Sequence, residues 1–309
     1  MAQQSFIERK KEKRFKRRYR TAKHLLAAAA VILLLLFGLY RGKDAWTSPA
    51  VTPLGDKEVQ FHFMDVGQGD AALIRTPDGN ILIDAGTSDA EQDLKAYLDS
   101  LGVTDIEYAV FTHPHEDHIG GADMVLSHYT VKHVVLPDVS AKDQSYQNMI
   151  NALQKESCRI IKATPNTIFR VGELTCTILA PLHTGYAEVN DSSVVLRADY
   201  GDTSVLYMGD AEFPAEKELL TRYGKAPGGL LDCDLIKVGH HGSDTSSDEN
   251  FLAAVTPGFA VISCGKGNSH GHPMQATLAR YASMNVTIHR TDREGNIMFS
   301  TVGGELIKK

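Results

Sequence analysis

Apolar and polar positions alternate through residues 58–67 (EVQFHFMDVG) and 70–76 (DAALIRT), and a PDGN turn at 77–80 joins the second run to ILIDAG at 81–86. A period of two predicts strands, and the spacing of the turns predicts a meander of three. The period then lengthens: AEQDLKAYLDSLG (90–102) reads as an amphipathic helix that stops at Gly102. IEYAVFT (106–112) is predicted as a strand, GGADMVLSHY as a helix, KHVVLP as a strand and DQSYQNMINALQKE as a helix. The second half repeats this rhythm. Strands are expected at TCTILAP, VVLRADYG, TSVLYMGD, DLIKVG, AVISCG and VTIHRT, with helices near 212–223, 247–255 and 273–284. Two strand-rich halves, each with its own helices, predict two sheets packed face to face and covered outside by helices, a four-layer αββα sandwich.

Upstream of residue 58 the pattern is different. Between Arg9 and Lys23 stand ten Lys/Arg and one Glu, followed by an apolar run at 25–40 (LLAAAAVILLLLFGLY). Sixteen helical residues span roughly 24 Å, a little short of a hydrocarbon core of about 30 Å, and Lys23, Arg41 and Trp46 can sit at the interfaces. This run is expected to be a transmembrane anchor. A cleaved signal peptide is the competing reading, although no clear small-x-small site follows Tyr40. The positive-inside rule puts 1–24 in the cytoplasm and the chain beyond 41 outside, with 41–57 as a linker and 58–309 as one extracytoplasmic domain of a single-pass protein in the cell membrane.

Composition sharpens this division. With 309 residues, 43% hydrophobic and 23% charged, the chain can build a packed core and is not a low-complexity polymer. The formal charge of −6 hides 12 Lys/Arg against 2 Glu in residues 1–43, leaving 20 Lys/Arg against 36 Asp/Glu, or −16, in the remainder. A domain so acidic does not hold nucleic acid by surface charge alone, so an anionic substrate needs local help from bound metal. Cys158, Cys176, Cys233 and Cys264 form no C-x-x-C pair and lie among apolar residues. They are expected to be buried free thiols, with a disulfide as the alternative in an oxidising compartment.

The strongest chemical signal is Thr112-His113-Pro114-His115-Glu116-Asp117-His118, directly after an expected strand. Imidazole nitrogens and a carboxylate in an H-x-H-x-D-H loop suit borderline divalent metals, and the loop can point His113 and His115 one way and Asp117 and His118 another. Strand ends are where α/β sheets place their sites. His62, His128, His133 and His183 lack ligand-like spacing and read as ordinary surface or half-buried histidines. Asp65 and Asp70 flank a G-x-G turn and read at least equally as turn formers. Ser243 and Ser246 precede a helix and fit capping.

The H-x-H-x-D-H motif resembles that of the metallo-β-lactamase superfamily. With FMDVGQGDA at 63–71, NDSSVVL at 190–196, VGHHGS at 238–243 and HRTDREG at 289–295, the chain resembles the metallo-hydrolase domain of ComEC-type DNA-internalisation proteins over residues 58–309. The resemblance implies the αββα fold and two divalent ions, Zn or Mn, held by His113, His115, Asp117, His118, Asp210, His240, His241 and His272. It assigns Asp210 as the bridging carboxylate, Asp117 and Asp210 as catalytic, and Asp84 as support behind the metal loop. Where many superfamily members carry a further His, this chain has Asn190-Asp191-Ser192-Ser193. The resemblance implies that His240 or His241, with His241 favoured, replaces that imidazole, and that His272, rather than His270, takes the last place in the other site. A hydroxide bridging the two ions would then hydrolyse a phosphodiester, as an anchored, outward-facing phosphodiesterase or nuclease, with DNA as a candidate partner. An esterase, lactonase or phosphocholine-type esterase is the alternative. The single apolar run distinguishes the chain from the many-helix channel of the full DNA-internalisation proteins.

Overall fold

The computed structural model describes residues 54–224, 228–302 and 304–309. The expected basic segment, the apolar run 25–40 and most of the expected linker lie outside the described residues; among those described, no helix is long and apolar enough to cross a membrane.

Among the described residues, fifteen strands build two sheets. Six come first: β1 (Gln60–Phe63), β2 (Ala72–Thr76), β3 (Gly79–Ile83), β4 (Asp105–Val110), β5 (Thr130–Leu136) and β6 (Arg159–Lys162). The second sheet takes β7 (Ile168–Val171), β8 (Leu174–Ala180), β9 (Val195–Tyr200), β10 (Thr203–Tyr207), β11 (Leu235–Lys237), β12 (Phe259–Ile262) and β13 (Thr287–Arg290). The chain then returns to the first sheet with β14 (Ile297–Val302) and β15 (Glu305–Lys308), giving orders β15-β14-β1-β2-β3-β4-β5-β6 and β13-β12-β11-β10-β9-β8-β7. The expected meander is present, with β1, β2 and β3 antiparallel neighbours.

Alternation explains the layers. Phe61, Phe63, Ile81 and Ile83 belong to a buried cluster shared with Phe169, Ile178, Leu196, Val205 and Tyr207 of the second sheet. Their odd-step neighbours Leu73 and Leu82 pack instead with Leu94, Leu98, Val125 and Met149 from the helices Glu91–Ser100, Ala122–His128 and Gln144–Leu153. On the far side, Leu206, Ile236 and Ala260 pack with Leu219, Phe251 and Tyr281 from the helices Phe213–Tyr223, Glu249–Val255 and Gln275–Ser283. A side-chain period of two thus gives each sheet two apolar faces, one for the other sheet and one for helices.

Four strands were not anticipated: β6, β7, β14 and β15. The helix after the metal loop begins at Ala122, preceded by a one-turn helix at Glu116–Ile119. The capping expected of Ser243 and Ser246 falls to Asp248, whose carboxylate accepts from Asn250 N. All four cysteines are free thiols; Cys176, Cys233 and Cys264 are buried and Cys158 is partly exposed.

Candidate metal centre

Parallel pairing puts the ends of β3 and β4, and those of β10, β11 and β12, on one edge of each sheet. The loops leaving these ends carry Asp84, His113–His118, Asp210, His240–His241 and Ser263. They are stitched together by backbone bonds: Ala85 N to His118 O (2.7 Å), Asp70 N to Asp117 O (3.0 Å), Val194 N to Thr112 O (2.9 Å) and His240 N to Gly209 O (3.1 Å). Gly69 is required by close approach, since a Cβ there would lie 2.4 Å from Asp117 O. Gly209 needs its left-handed φ of +53° to turn Asp210 into the cluster beside Thr112 and Ser193. Three non-glycine residues also occupy the left-handed region, Asp84 (φ 57°), His240 (47°) and His241 (51°). Such strain persists only where the surroundings over-determine it, and three of the seven left-handed non-glycine residues in the described structure fall in this one cluster, the others being Asn166, Ser247, Thr256 and Asn285.

The side chains converge on Asp210. Its Oδ1 lies 3.2 Å from His118 Nε2, and its Oδ2 lies 3.6 Å from His241 Nε2, 3.8 Å from His113 Nε2 and 3.9 Å from His240 Nε2. Asp117 Oδ2 is 3.1 Å from His241 Nε2 and 4.0 Å from His118 Nε2. One ligand atom from each of Asp117, His118, Asp210 and His241 fits within 4.8 Å of the others. His115, exposed, brings Nδ1 within 3.0 Å of His113 Nε2.

The two HHG imidazoles, of which His241 was favoured to replace the missing one, stand on different sides of the cluster, both within 4 Å of Asp210. His241 stands with Asp117 and His118. His240 is the one beside Asn190, whose Nδ2 is 3.5 Å from His240 Nε2. Consecutive left-handed residues send the two rings to different sides, so adjacency in sequence did not reveal which faced which. His272 is not in carboxylate contact; its ring centroid is 5.4 Å from His240 and 6.3 Å from His241. His270 is exposed behind it.

Behind the inner imidazoles stand acceptors. His118 Nδ1 is 2.7 Å from Asp84 Oδ2, while Asp84 also accepts from Thr112 N and Oγ1. His240 Nδ1 is 2.8 Å from Glu212 Oε1. His241 Nδ1 lies 3.0 Å from Ser263 O and 3.1 Å from Asp70 Oδ1. An acceptor at Nδ1 fixes the tautomer and leaves Nε2 to ligate. Asp70 is buried and ion-paired with buried Lys237 at 2.6 Å, so the turn role suggested for it belongs to Asp65, whose carboxylate accepts from Gly67 N. The NDSS stretch serves as scaffold: Asp191 accepts from Glu212 N and Ala215 N, and Ser193 Oγ accepts from Asp210 N while facing His113 Nδ1 at 3.3 Å.

Sequence reading missed Lys237 and Glu212, and it weighed Asp70 at least equally as a turn former. A lysine inside the apolar strand DLIKVG was the available signal, because a buried ammonium requires a buried counter-charge. Of the histidines set aside, His62 is fully buried against Tyr97 and Gln60 rather than at the surface.

Electrostatically the cluster calls for positive charge. Burial by itself would raise Asp210, yet the His118 and His241 imidazoles hold it well below the usual carboxylate range. Burial opposes a charge on His118 and His241, but Asp210 with Asp84 and Asp117 holds the first well above its ordinary value, and Asp210 with Asp70 lifts the second to about 10. His113 goes the other way, pushed well below by burial and by His118. Two buried atoms at the centre, His118 Nε2 and Asp210 Oδ1, face each other at 3.2 Å without making a hydrogen bond and have no other hydrogen-bond partner. Orphaned buried donors and acceptors of this kind, in a mixed imidazole and carboxylate set, fit divalent cations.

Comparisons with known proteins agree with this geometry. The family model described as Metallo-beta-lactamase superfamily matches residues 64–266. The chain is 29% identical over 267 residues to ComE operon protein 3 of Bacillus subtilis, covering 81% of this chain and 34% of the relative. It is 30% identical over 245 residues to Competence protein ComA of Neisseria gonorrhoeae, covering 79% and 32%. The chain therefore spans about a third of the length of these curated relatives. Among solved structures, the metallo-beta-lactamase fold protein YhfI of Bacillus subtilis superposes with a TM-score of 0.50 at 13% identity, covering 78% of this chain and 99% of that one. CmlA, a diiron beta-hydroxylase from Streptomyces venezuelae, gives 0.50 at 13%, covering 77% and 53%. These two likenesses establish the fold alone, and chemistry has to be argued from the site.

Proposed function

The chain belongs to the metallo-β-lactamase superfamily, and from that premise we propose that it is a membrane-anchored, outward-facing phosphodiesterase of nuclease type that works with two divalent ions, Zn or Mn. The observation that carries this reading is the convergence of four imidazole Nε2 atoms on Asp210, with His118 Nε2 and Asp210 Oδ1 buried and unpartnered. His113, His115 and His240 would hold one ion and Asp117, His118 and His241 the other, with Asp210 serving both. What such ions supply when bound is a water acidified toward neutrality and a polarised phosphoryl oxygen. The chain's own work is to set the ligands. Asp84, Glu212 and Ser263 O take the Nδ1 positions of His118, His240 and His241, with the Asp70 carboxylate 3.1 Å from the last, and Ser193 holds both the Asp210 backbone and His113. His272, half-buried beside His240, stands where it can meet substrate or an ion.

The similarity to a competence protein, together with the resemblance to DNA-internalisation proteins, favours a phosphodiester over a carboxyl ester. The apolar run 25–40 supplies the anchor and the basic residues before it the inside-facing charge. The test is metal analysis of the full chain together with hydrolysis of bis-p-nitrophenyl phosphate and single-stranded DNA against p-nitrophenyl acetate and a lactone. About two equivalents of metal and chelator-sensitive preference for the phosphodiesters are expected. Preference for the carboxyl esters would move the reading to an envelope or small-molecule esterase.

A further inference from the structure

A cavity of about 340 Å³ opens beside the candidate metal centre, between the loop after β5, the β6–β7 connection and the loop after β8. Its apolar walls include Pro137, Ala163, Pro165, Leu182, Tyr186 and Val189. It shares structure with the centre on two sides. Val189 and Ser192 line it, while Asn190 between them faces His240 and the next residue, Ser193, contacts His113. Across from them, Pro137 and Val139 also enclose a small pocket with His113 and Pro114.

We propose that this cavity is a nucleobase subsite, seating the nucleoside on one side of the scissile phosphodiester; the proposal rests on the phosphodiesterase reading above. Three observations favour this occupant. The walls offer flat apolar faces with a few polar groups, Thr164, Thr184 and Ser192 among them, which is how sites for small planar ligands are built. Tyr186 is held in place before any ligand arrives, since its hydroxyl donates to Glu218 at 2.8 Å and accepts from Leu182 N at 3.1 Å, and its ring stacks on His183 at 3.9 Å. Charge decides the direction. On the Asp117 side of the metal loop, a hollow of about 510 Å³ is lined by Asp65, Asp89, Asp93 and Glu116, which repels a phosphate chain. The cavity at Tyr186 has one acid in its wall, Asp138, and that is paired with Lys162 at 2.6 Å.

The experiment compares metal-loaded full-length protein on thymidine 5′-(p-nitrophenyl phosphate), its 3′ isomer and methyl p-nitrophenyl phosphate, three esters with one leaving group. At least one nucleoside ester should exceed the methyl ester in kcat/KM by about 10-fold or more, in line with stacking of one base. Tyr186→Ala should remove about that factor from the preferred nucleoside ester and leave the methyl ester unchanged, whereas Tyr186→Phe, which keeps the ring and loses the hydroxyl contacts, should retain it. Should Tyr186→Ala misfold, binding of thymidine monophosphates against methyl phosphate by calorimetry on the unaltered protein decides the matter, with about 10-fold tighter nucleotide binding expected. Equal kcat/KM for all three esters, or an equal loss on all three in Tyr186→Ala, overturns the subsite and leaves phosphodiesterase activity standing. Absence of cleavage of every phosphodiester overturns the functional reading and the subsite with it.

Discussion

Lys237 offers the sharpest perturbation, because the residue is 2% exposed and its principal counter-charge, Asp70, is 5% exposed. Lys237 Nζ sits 2.6 Å from Asp70 Oδ2 and donates to Val238 O at 2.8 Å, while Asp70 Oδ1 faces His241 Nδ1 at 3.1 Å. At an effective dielectric of about 20 the pair attracts by roughly 6 kcal/mol, much of it cancelled by desolvation of the two ions. Lys237→Met removes the attraction and keeps the desolvation cost of the carboxylate, which in buried pairs amounts to about 3–5 kcal/mol. With a urea slope of about 2–3 kcal/mol/M, the unfolding midpoint should fall by roughly 1–2 M at pH 7. Lys237→Met combined with Asp70→Asn should recover part of that loss, since the double change leaves no unpaired charge.

The loss should also depend on pH with a definite sign. Burial would raise Asp70, but Lys237 and then His241 hold it below the usual range, so its contribution is present above the unfolded carboxylate value of about 3.9 and disappears as pH falls through the lower native value. Without Lys237, burial takes over and that contribution is lost. The gap between wild type and Lys237→Met should therefore be smallest below the depressed native value of Asp70, well under pH 4, and widen from there toward neutrality as the carboxylate left without its cation is forced to ionise. Metal affinity should drop in parallel by about 10- to 100-fold, the range for groups that orient a ligand from behind. A midpoint shift under about 0.3 M at pH 7, with the same slope, would refute the claim that Lys237 neutralises Asp70.

Asp210→Ala should lower metal content by close to two equivalents, whereas His115→Ala and Asp117→Asn should each remove about one; stoichiometry by atomic emission on folded variants decides, and full occupancy in Asp210→Ala sinks the shared-ligand assignment. Glu216 is buried and pushed up to about 8 by desolvation, although it accepts from Ser247 N at 2.6 Å and Asp248 N at 2.8 Å. A raised native value means stability declines as pH climbs from about 4.3 toward 8, so Glu216→Gln should flatten the urea midpoint across pH 5–8 and cost about 1–3 kcal/mol at pH 5, where a good acceptor is lost. DNA binding measured with a non-cleavable strand should vanish on metal removal and show a shallow salt slope, each neutralised phosphate contributing about 0.9; a steep slope in metal-free protein would reveal a cationic surface elsewhere. A reporter joined after Lys309 should be active only outside the cytoplasm, and activity only inside would reverse the proposed orientation.

Much of the fold was legible because its strands obey a period of two and its helices end at Gly102 and Gly224, both in the left-handed region. What escaped was short or non-local. The exposed strand Arg159–Lys162 presents no buried face from which to read a period, and β14 owes its identity to pairing with β1, 240 positions away at Gln60 and Ser300. Within the site, the H-x-H-x-D-H loop announces itself because its ligands lie within six residues. Roles that depend on backbone handedness do not, which is why the adjacent letters of His240 and His241 could not say which ring faces Asn190 and which faces Asp117.

The same geometry explains why binding and chemistry should be inseparable in this domain. Asp70, Asp84, Asp117, Asp210 and Glu212 all face the imidazole cluster, while Lys237 is the fixed cation paired within it. Protons on His118 and His241 can balance part of that charge, but a protonated imidazole has no lone pair with which to ligate. Metal loading must therefore displace those protons, and in doing so it replaces charges spread over two rings by cations set between the carboxylates. An anionic substrate approaching the cluster without them would meet carboxylates and an acidic surface; with them it would meet a concentrated positive charge. On the proposed reading, discrimination for a phosphodiester would come from what surrounds that charge, the acidic hollow on the Asp117 side and the apolar cavity at Tyr186 on the other.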